Sequence, residues 1–393
     1  MSEWKKNRVK EVSLRITSGG TPSTKISDYY GGNIPWLNTK EINFHSIVNT
    51  EQYITKSGMD NSSAKWITKN SVIVAMYGAT AGKSAISKID LTTNQACCNI
   101  TVDKTKADYR FIYYALFNSY PELENLASGA AQQNLNVGII SNFEILLPPL
   151  PEQRAIASIL SSLDDKIDLL HRQNATLEKM AETLFRQWFV EEAKEEWEEK
   201  RITDLFEVRD GTHDSPKEKE IGKKLITSKH LSGNQLDFDS AYYICGDDFE
   251  QINKRSKVDT GDILFSMIGT IGIVYLEQSE IIEYAIKNIG LFKTSQNPTW
   301  KYFSFLWLKS NLGQEFIYEH RNGSTQEYIA LGSLRSIIFK VPPTNIIIEF
   351  NNFVSTYFQK TKINQSQIRT LTQLRDTLLP KLMSGEVKVE NNL

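Results

Sequence analysis

Between residues 152 and 190 the apolar side chains recur at alternating steps of four and three. They are Ile156, Leu160, Leu163, Ile167, Leu170, Leu177, Ala181, Leu184 and Trp188, with Asn174 filling the one polar step. That spacing is the seam of a coiled coil, and a single polar intruder at a seam position can fix register. Pro148, Pro149 and Pro151 close the preceding segment and open the helix. Such a helix would be roughly 58 Å long, far beyond the usual globular helix. A second stripe over about 346–379 holds Phe350, Val354, Tyr357, Ile368, Leu371, Leu378 and Leu382. It is the poorer seam, and Pro380 is expected to end or kink it. The two helices are expected to pack on each other, because stripes this long exceed what one small domain can cover. Residues 1–150 and 196–343 read differently, as short β-branched runs broken by Gly, Asn and Asp. Ser71–Met76 and Asp262–Met267 are the best strand candidates, and Tyr109–Asn118 and Tyr302–Ser310 read as short helices. The class is α+β.

The chain is duplicated. At an offset of 194, Leu135 falls on Ile329, Gly138 on Gly332 and Ile140 on Leu334. Leu-Leu-Pro-Pro at 146–149 falls on Lys-Val-Pro-Pro at 340–343. The register continues through Leu177/Leu371, Met180/Leu374, Thr183/Thr377 and Leu184/Leu378. Earlier the offset drifts, pairing Glu3-Trp4 with Glu196-Trp197, Gly20-Thr21 with Gly211-Thr212, Thr39-Lys40 with Ser228-Lys229 and Asn99-Ile100 with Asn288-Ile289. Each copy is one globular segment followed by one helix, which divides the chain at 1–150, 151–195, 196–343 and 344–393.

Composition narrows the class. The 393 residues carry 45 Lys+Arg and 47 Asp+Glu, a net charge of −2, with 40% hydrophobic residues. These are the proportions of an ordinary globular protein. Three cysteines make no disulfide framework, the polar start lacks the apolar core of a signal peptide, and no apolar run approaches the ~20 residues of a membrane span. A reducing, cytoplasmic setting is the expectation. The charge is unevenly spread: 15 basic and 12 acidic side chains in 1–150, then 7 and 12 in 151–200, where residues 191–199 hold six acids. No segment is strongly basic, so this chain alone would grip DNA weakly.

Motifs of self-contained chemistry are missing. Tyr77-Gly78-Ala-Thr80-Ala-Gly82-Lys83-Ser84 approaches a phosphate-binding loop, but its first Gly lies one residue too close, and the counterpart Gly269-Thr270-Ile271-Gly272 has neither Lys nor Ser. Both copies do share a Gly-rich turn at a strand end, where backbone can approach a ligand. The five His (His45, His171, His213, His230, His320) are dispersed without metal-ligand spacing. Asn297-Pro298-Thr299-Trp300 only approaches the amino-methyltransferase signature. The chain is expected to be no enzyme by itself, without metal or cofactor of its own. What recurs in both copies is polar loop chemistry. Ser18, Gly20 and Thr21, then Lys40, then Gln132, Gln133 and Asn134 have counterparts in Thr212 and His213, Ser228 and Lys229, and Ser324 and Gln326. With Tyr77, Thr80, Lys83 and Thr270 of the turns they are the DNA-binding candidates. Such side chains hydrogen-bond base edges and phosphates; taken singly each reads better as a solvated turn residue, and it is the recurrence of the loops as sets that points to a shared binding surface.

Three further segments carry a resemblance. Leu-Pro-Pro-Leu-Pro-Glu-Gln-Arg-Ala-Ile-Ala (147–157), Leu-Phe-Arg-Gln-Trp-Phe (184–189) and Leu-Arg-Asp-Thr-Leu-Leu-Pro-Lys-Leu-Met-Ser-Gly-Glu (374–386) look like the specificity subunit of Type I restriction–modification systems. So do Ser-Gly-Gly-Thr-Pro-Ser (18–23), Ile-Pro-Trp-Leu (34–37) and Asp-Gly-Thr-His-Asp-Ser-Pro (210–216). The second helix departs from the pattern, opening on Thr344-Asn345-Ile346-Ile347 rather than Pro-Glu-Gln-Arg. The resemblance implies two pseudo-symmetric target-recognition domains joined by an antiparallel coiled coil, each domain reading one half of a split double-stranded DNA sequence. It implies two modification subunits with S-adenosylmethionine and two restriction subunits with ATP and Mg²⁺ as partners. Two rival readings remain: an adaptor whose coiled coil only joins proteins, and a nucleotide hydrolase using Lys83.

Overall fold

The computed structural model describes residues 4–128, 134–233, 235–323 and 326–389. The chain forms two compact units, Met1–Leu170 with Gln367–Leu393, and His171–Ser366. Each takes one globular segment and a piece of both long helices, which span Leu150–Arg186 and Thr344–Met383.

The same sheet is built twice. In the first unit Ser13–Ser18, Cys97–Val102, Val72–Ala75 and Ser84–Ser87 lie side by side in that order. In the second, Val208–Asp210, Ile289–Phe292, Ile263–Ser266 and Val274–Leu276 repeat it. The two expected strands, Ser71–Met76 and Asp262–Met267, are thus found at the centre of each sheet, fully buried. A parallel strand pair flanks each sheet: Tyr30–Leu37 with Leu91–Thr93, and Lys223–Thr227 with Tyr284–Lys287. Strand pairing also corrects two alignments. Ser18 faces Cys98 as Asp210 faces Gly290, which makes Gly19 and Gly20, not Gly20 and Thr21, the counterparts of Gly211 and Thr212. Cys97 faces Ala75 as Ile289 faces Ser266, which makes Ala96, not Asn99, the counterpart of Asn288. Short helices cover the sheets where the sequence places them, at Tyr109–Asn118 and Lys301–Lys309. Their inward faces, Phe111 and Leu116 or Phe303 and Leu308, are buried in the cores.

Each unit closes where its helix begins. Glu144–Leu147 pairs antiparallel with Lys5–Arg8, and Ile338–Val341 with Glu198–Arg201. At the first helix start, buried Gln153 accepts the Asp108 N–H (3.0 Å) and donates to the Pro148 carbonyl (2.8 Å). Its counterpart 194 residues on is Ile347, also buried. The second helix thus replaces a polar tie with an apolar one and begins without the Pro-Glu-Gln-Arg opening.

Pro380 does not end the second helix, which continues to Met383. A proline in the last turn forfeits one backbone bond, while Leu379, Leu382 and Met383 are buried in the first unit's core. The seam of this helix is also fuller than its apolar content suggests. Residues 347, 350, 354, 357, 361, 364, 368, 371, 375, 378 and 382 keep the three–four rhythm, with Thr361, Asn364 and Arg375 as polar members. In the second unit the Asn364 amide donates to Asn174 (2.8 Å), and Trp188 lies 5.9 Å from Phe350, so the helices run antiparallel. The sequence-derived seam shifts at its end, where Phe185 and Phe189 are more buried than Leu184 and Trp188. A π-helical turn at Gln187–Glu191 accompanies that shift of phase. Asn174→Leu alone leaves Asn364, buried in the seam, with only the longer contact to Gln173 (3.4 Å). It is expected to cost about 1–3 kcal/mol, whereas Asn174→Leu with Asn364→Leu is expected to be neutral or stabilising in thermal melts.

Candidate nucleic-acid interface

The candidate residues gather where polypeptide leaves the strands of each sheet. In the first unit the loop after Ser13–Ser18 turns under the parallel strand pair. Gly20 donates its N–H to the Thr93 carbonyl (2.8 Å), and Trp36 donates its indole N–H to the Gly20 carbonyl (2.9 Å). A Cβ at Gly19 would stand 2.1 Å from the Thr93 carbonyl oxygen and one at Gly20 2.2 Å from the Ser63 backbone, so both glycines are obligatory. Thr21 is hydrogen-bonded to Gln95, and Ser18 lies in the sheet opposite Cys98.

Lys40 sits in the 3₁₀ turn Thr39–Glu41, which Asn38 caps by accepting the Lys40 N–H (3.2 Å). Its ammonium pairs with Glu51 at 2.5 Å, and that hydrogen bond and charge raise its pKa. The Gly-rich turn docks on the same place: Thr80 donates its hydroxyl to the Thr39 carbonyl (2.9 Å), and Lys83 donates to Asn43 (2.7 Å). Tyr77, partly desolvated, has its pKa raised by burial. Leu135 donates its N–H to Met76 (2.9 Å), which brings Asn134, exposed, beside the turn. Gln132, Gln133 and Ser324 lie outside the described residues.

The turn at 77–84 joins two antiparallel strands, Val72–Ala75 and Ser84–Ser87, and Ser84 is buried in the second of them. A phosphate-binding loop opens into a helix whose N-terminal amides meet the phosphates. Here a strand follows, and Lys83 points to Asn43, so the geometry offers no nucleotide site.

In the second unit Asn288 is the hub. It holds a left-handed backbone (φ 53°), donates its N–H to the Thr212 carbonyl (3.1 Å) and accepts the Ser228 hydroxyl at its own carbonyl (2.8 Å). Its side chain meets His213 Nδ1 at 2.8 Å, while His213 Nε2 meets Asp210 Oδ2 at 2.9 Å. Both ring nitrogens are thereby held, yet the His213 side chain is 66% exposed. Asp210, almost fully buried, also pairs with Arg255. Thr212 donates its N–H to the Ile286 carbonyl (3.0 Å), as Gly20 does to Thr93 in the first unit. Lys229, in the 3₁₀ turn Ser228–His230, and Thr270, at the tip of the Gly-rich turn, are exposed. The Ser266 hydroxyl holds that turn through the Thr270 carbonyl (2.6 Å). Ile329 donates its N–H to Met267 (2.9 Å), the match of Leu135 on Met76, and places exposed Gln326 nearby.

Sequence reasoning missed the cations behind this loop. A cavity of about 570 Å³ is lined by Arg209, Lys254, Arg255 and Arg335 together with Glu207 and Asp210. Arg209 pairs with Glu207, and Arg335 donates to the Val208 carbonyl (2.9 Å). The four cations come from three separate stretches of chain, so no local charge run announces them. Asn288 was within reach, since the duplication already singled it out, though against the wrong partner.

Among the described residues no group of three or more His, Cys, Asp or Glu could hold a metal ion, and no helix is long and apolar enough to cross a membrane.

Known proteins share this architecture. The profile of the Type I restriction modification DNA specificity domain matches residues 1–179 and again 194–373. The specificity subunit of the Type I restriction enzyme MjaIX from Methanocaldococcus jannaschii is 28% identical over 423 residues, covering 99% of this chain and 94% of its own length. That of EcoBI from Escherichia coli is 21% identical over 361 residues, covering 83% and 75%. The crystal structure of the S subunit of a Type I restriction–modification system from M. genitalium has the same fold, with a TM-score of 0.57 at 18% identity over 97% of this chain and 96% of that one. Two matched segments, one on each copy of the duplication, place the chain in the Type I restriction–modification DNA specificity family.

Proposed function

We propose that each unit reads one half of a split double-stranded DNA target, and that this chain directs adenine methylation or restriction carried out by partner subunits. The observation that carries the reading is the repeated set of loops at equivalent strand ends, with His213 presented to solvent while both its ring nitrogens are tied. A preorganised side chain loses little freedom on meeting a base edge. In this reading Lys229, Thr270 and Gln326 of the second unit, and Thr21, Tyr77 and Asn134 of the first, lie on the reading surfaces. Lys40, Thr80 and Lys83 chiefly hold those loops in shape, since their polar groups are already engaged. The chain supplies no catalytic group; S-adenosylmethionine, ATP and Mg²⁺ belong to two modification and two restriction subunits. The adaptor reading explains the helices but leaves the duplicated loops without a task.

The test is to sequence methylated adenines in a host carrying this chain with its modification subunit. One split, asymmetric motif is expected; methylation without a motif would refute the reading. The cation-lined cavity is assigned to backbone phosphates, which position the reader without specifying sequence. Lys254→Ala with Arg335→Ala is expected to weaken binding to all duplexes alike. It should reduce the slope of log affinity against log salt by about one to two, read by titration of labelled duplex with the assembled methyltransferase.

A further inference from the structure

The loop after Val208–Asp210 holds a ring out to solvent with both of its polar atoms already engaged. Asp210 is buried and pairs with Arg255, so its carboxylate can only accept. His213 Nε2, 2.9 Å from Asp210 Oδ2, therefore carries a hydrogen and directs it inward. Nδ1 meets the Asn288 side chain at 2.8 Å. An amide can turn either its oxygen or its nitrogen to the ring, so Nδ1 is satisfied in the neutral and the charged imidazole alike. Neither nitrogen is left for a ligand, and the two anchors fix the plane of the ring. Yet the side chain is 66% exposed. What His213 offers outward is carbon: a C–H edge and the ring faces.

The neighbouring side chains are engaged in the same way. Thr212 Oγ1 accepts the Asp214 N–H (3.1 Å), Ser215 accepts the Lys287 ammonium, and Ser228 donates to the Asn288 carbonyl (2.8 Å). Hydroxyls that could have met a base edge serve the shape of the loop. The first unit has no such device. Strand register makes Ser18 the counterpart of Asp210 and Ala96 that of Asn288, and the residue three places after Ser18 is Thr21. Nothing there could hold an imidazole at two points.

We propose that His213 reads the C5-methyl group of one thymine in the major groove of the second unit's half-site. This rests on the DNA-reading role proposed above and adds the chemical group that is read. Every other feature that a base pair presents in the major groove donates or accepts a hydrogen bond; the thymine methyl alone does neither. A carbon surface pressed on one of those polar atoms would strip its water and put no partner in its place. A phosphate needs a donor, and neither ring nitrogen has one free. A methyl group needs only a flat, well-held apolar surface.

The experiment measures kcat/KM for methylation of duplexes by the full chain assembled with its modification subunit. The half-site of the second unit is the one that survives exchange of residues 1–150. Each thymine in it is replaced singly by 2′-deoxyuridine, which removes the methyl and keeps every hydrogen-bonding group. In the parent, one position is expected to lose about 4- to 10-fold, the effect of one buried methyl. His213→Ala should be slower on thymine and lose nothing further on uracil at that position. His213→Phe, which keeps a flat ring and has no nitrogen, should retain the preference for thymine; His213→Asn, which keeps a polar head and loses the ring, should not. Responses to uracil in the other half-site should be the same in all four proteins, which also shows that the variants are folded. A half-site with no methyl-sensitive thymine, or a sensitivity that persists undiminished in His213→Ala, would overturn the methyl contact and leave the DNA-reading proposal standing. A parent that methylates without any motif would overturn both.

Discussion

Arg375→Ala is expected to destabilise the first unit by about 3–5 kcal/mol, because it strands a largely buried carboxylate. Asp164 accepts the Tyr114 hydroxyl at one oxygen (2.6 Å) and the Arg375 guanidinium at the other (2.9 Å). Arg375 also lies over the Phe117 ring at 5.2 Å. Asp164 comes from the first helix, Arg375 from the second and Tyr114 from the globular part, so this cluster ties all three together. Burial is the largest influence on Asp164 and raises its pKa, against the opposing pull of Tyr114 and Arg375. A carboxyl whose folded pKa is raised favours the fold in its protonated form. That contribution is full below the unfolded pKa and is lost as pH rises through the folded one. Without Arg375 the pKa rises further. The deficit of Arg375→Ala should therefore be largest near pH 8 and shrink towards pH 4–5 as Asp164 protonates. A melting point lowered by roughly 6–20 °C at pH 8, with a smaller drop at pH 4.5, is the expected calorimetric result. An equal deficit at both pH values would contradict it. The second unit shows how the cost can be avoided. Phe358 and Ala181 stand 194 residues from Asp164 and Arg375 and Leu306 matches Tyr114, and all three line one small cavity of about 30 Å³. Tyr114→Phe, Asp164→Phe and Arg375→Ala together should then be far less harmful than Arg375→Ala alone, since an apolar cluster can replace a buried ion pair.

His213→Ala is expected to relax recognition at one base pair of one half-site while leaving the other half-site untouched. A well-held side chain reading a base edge is worth about 1–3 kcal/mol, or roughly 5- to 150-fold in discrimination. The His213 side chain is largely exposed, so its removal should not unfold the second unit. Asp210→Asn should give a milder version of the same defect, because Asp210 orients the ring from within the protein and also pairs with Arg255. Methylation rates on duplexes with single substitutions in each half-site distinguish the cases. Uniform loss across all duplexes would place His213 in general grip, not in reading.

The elements with a strong period were legible. The first helix, the central strands and the short covering helices follow directly from apolar spacing, and the duplication follows from self-comparison. The second helix was underestimated because its seam carries Asn364 and Arg375. Their partners, Asn174 and Asp164, stand 190 and 211 residues away in the chain, and polar seam residues look like gaps until the partner is known. Pro380 was misjudged because a propensity counts the lost backbone bond and not the burial of Leu379, Leu382 and Met383 around it. At the interface the loops were found and their inner workings were not. Nothing local marks Asn288 as the residue that gathers the Thr212, His213 and Ser228 segments, and the cations around Asp210 converge only after folding. Conversely, Lys40 and Lys83 were candidates for contact with DNA, yet each is held by a partner within its own unit.

The central claim is that the two globular segments read DNA independently. Its most direct test is to replace residues 1–150 with the matching segment of another specificity subunit and sequence the methylated adenines. One new half-site joined to one unchanged half-site is the predicted result. A target altered in both halves, or in neither, would contradict the account.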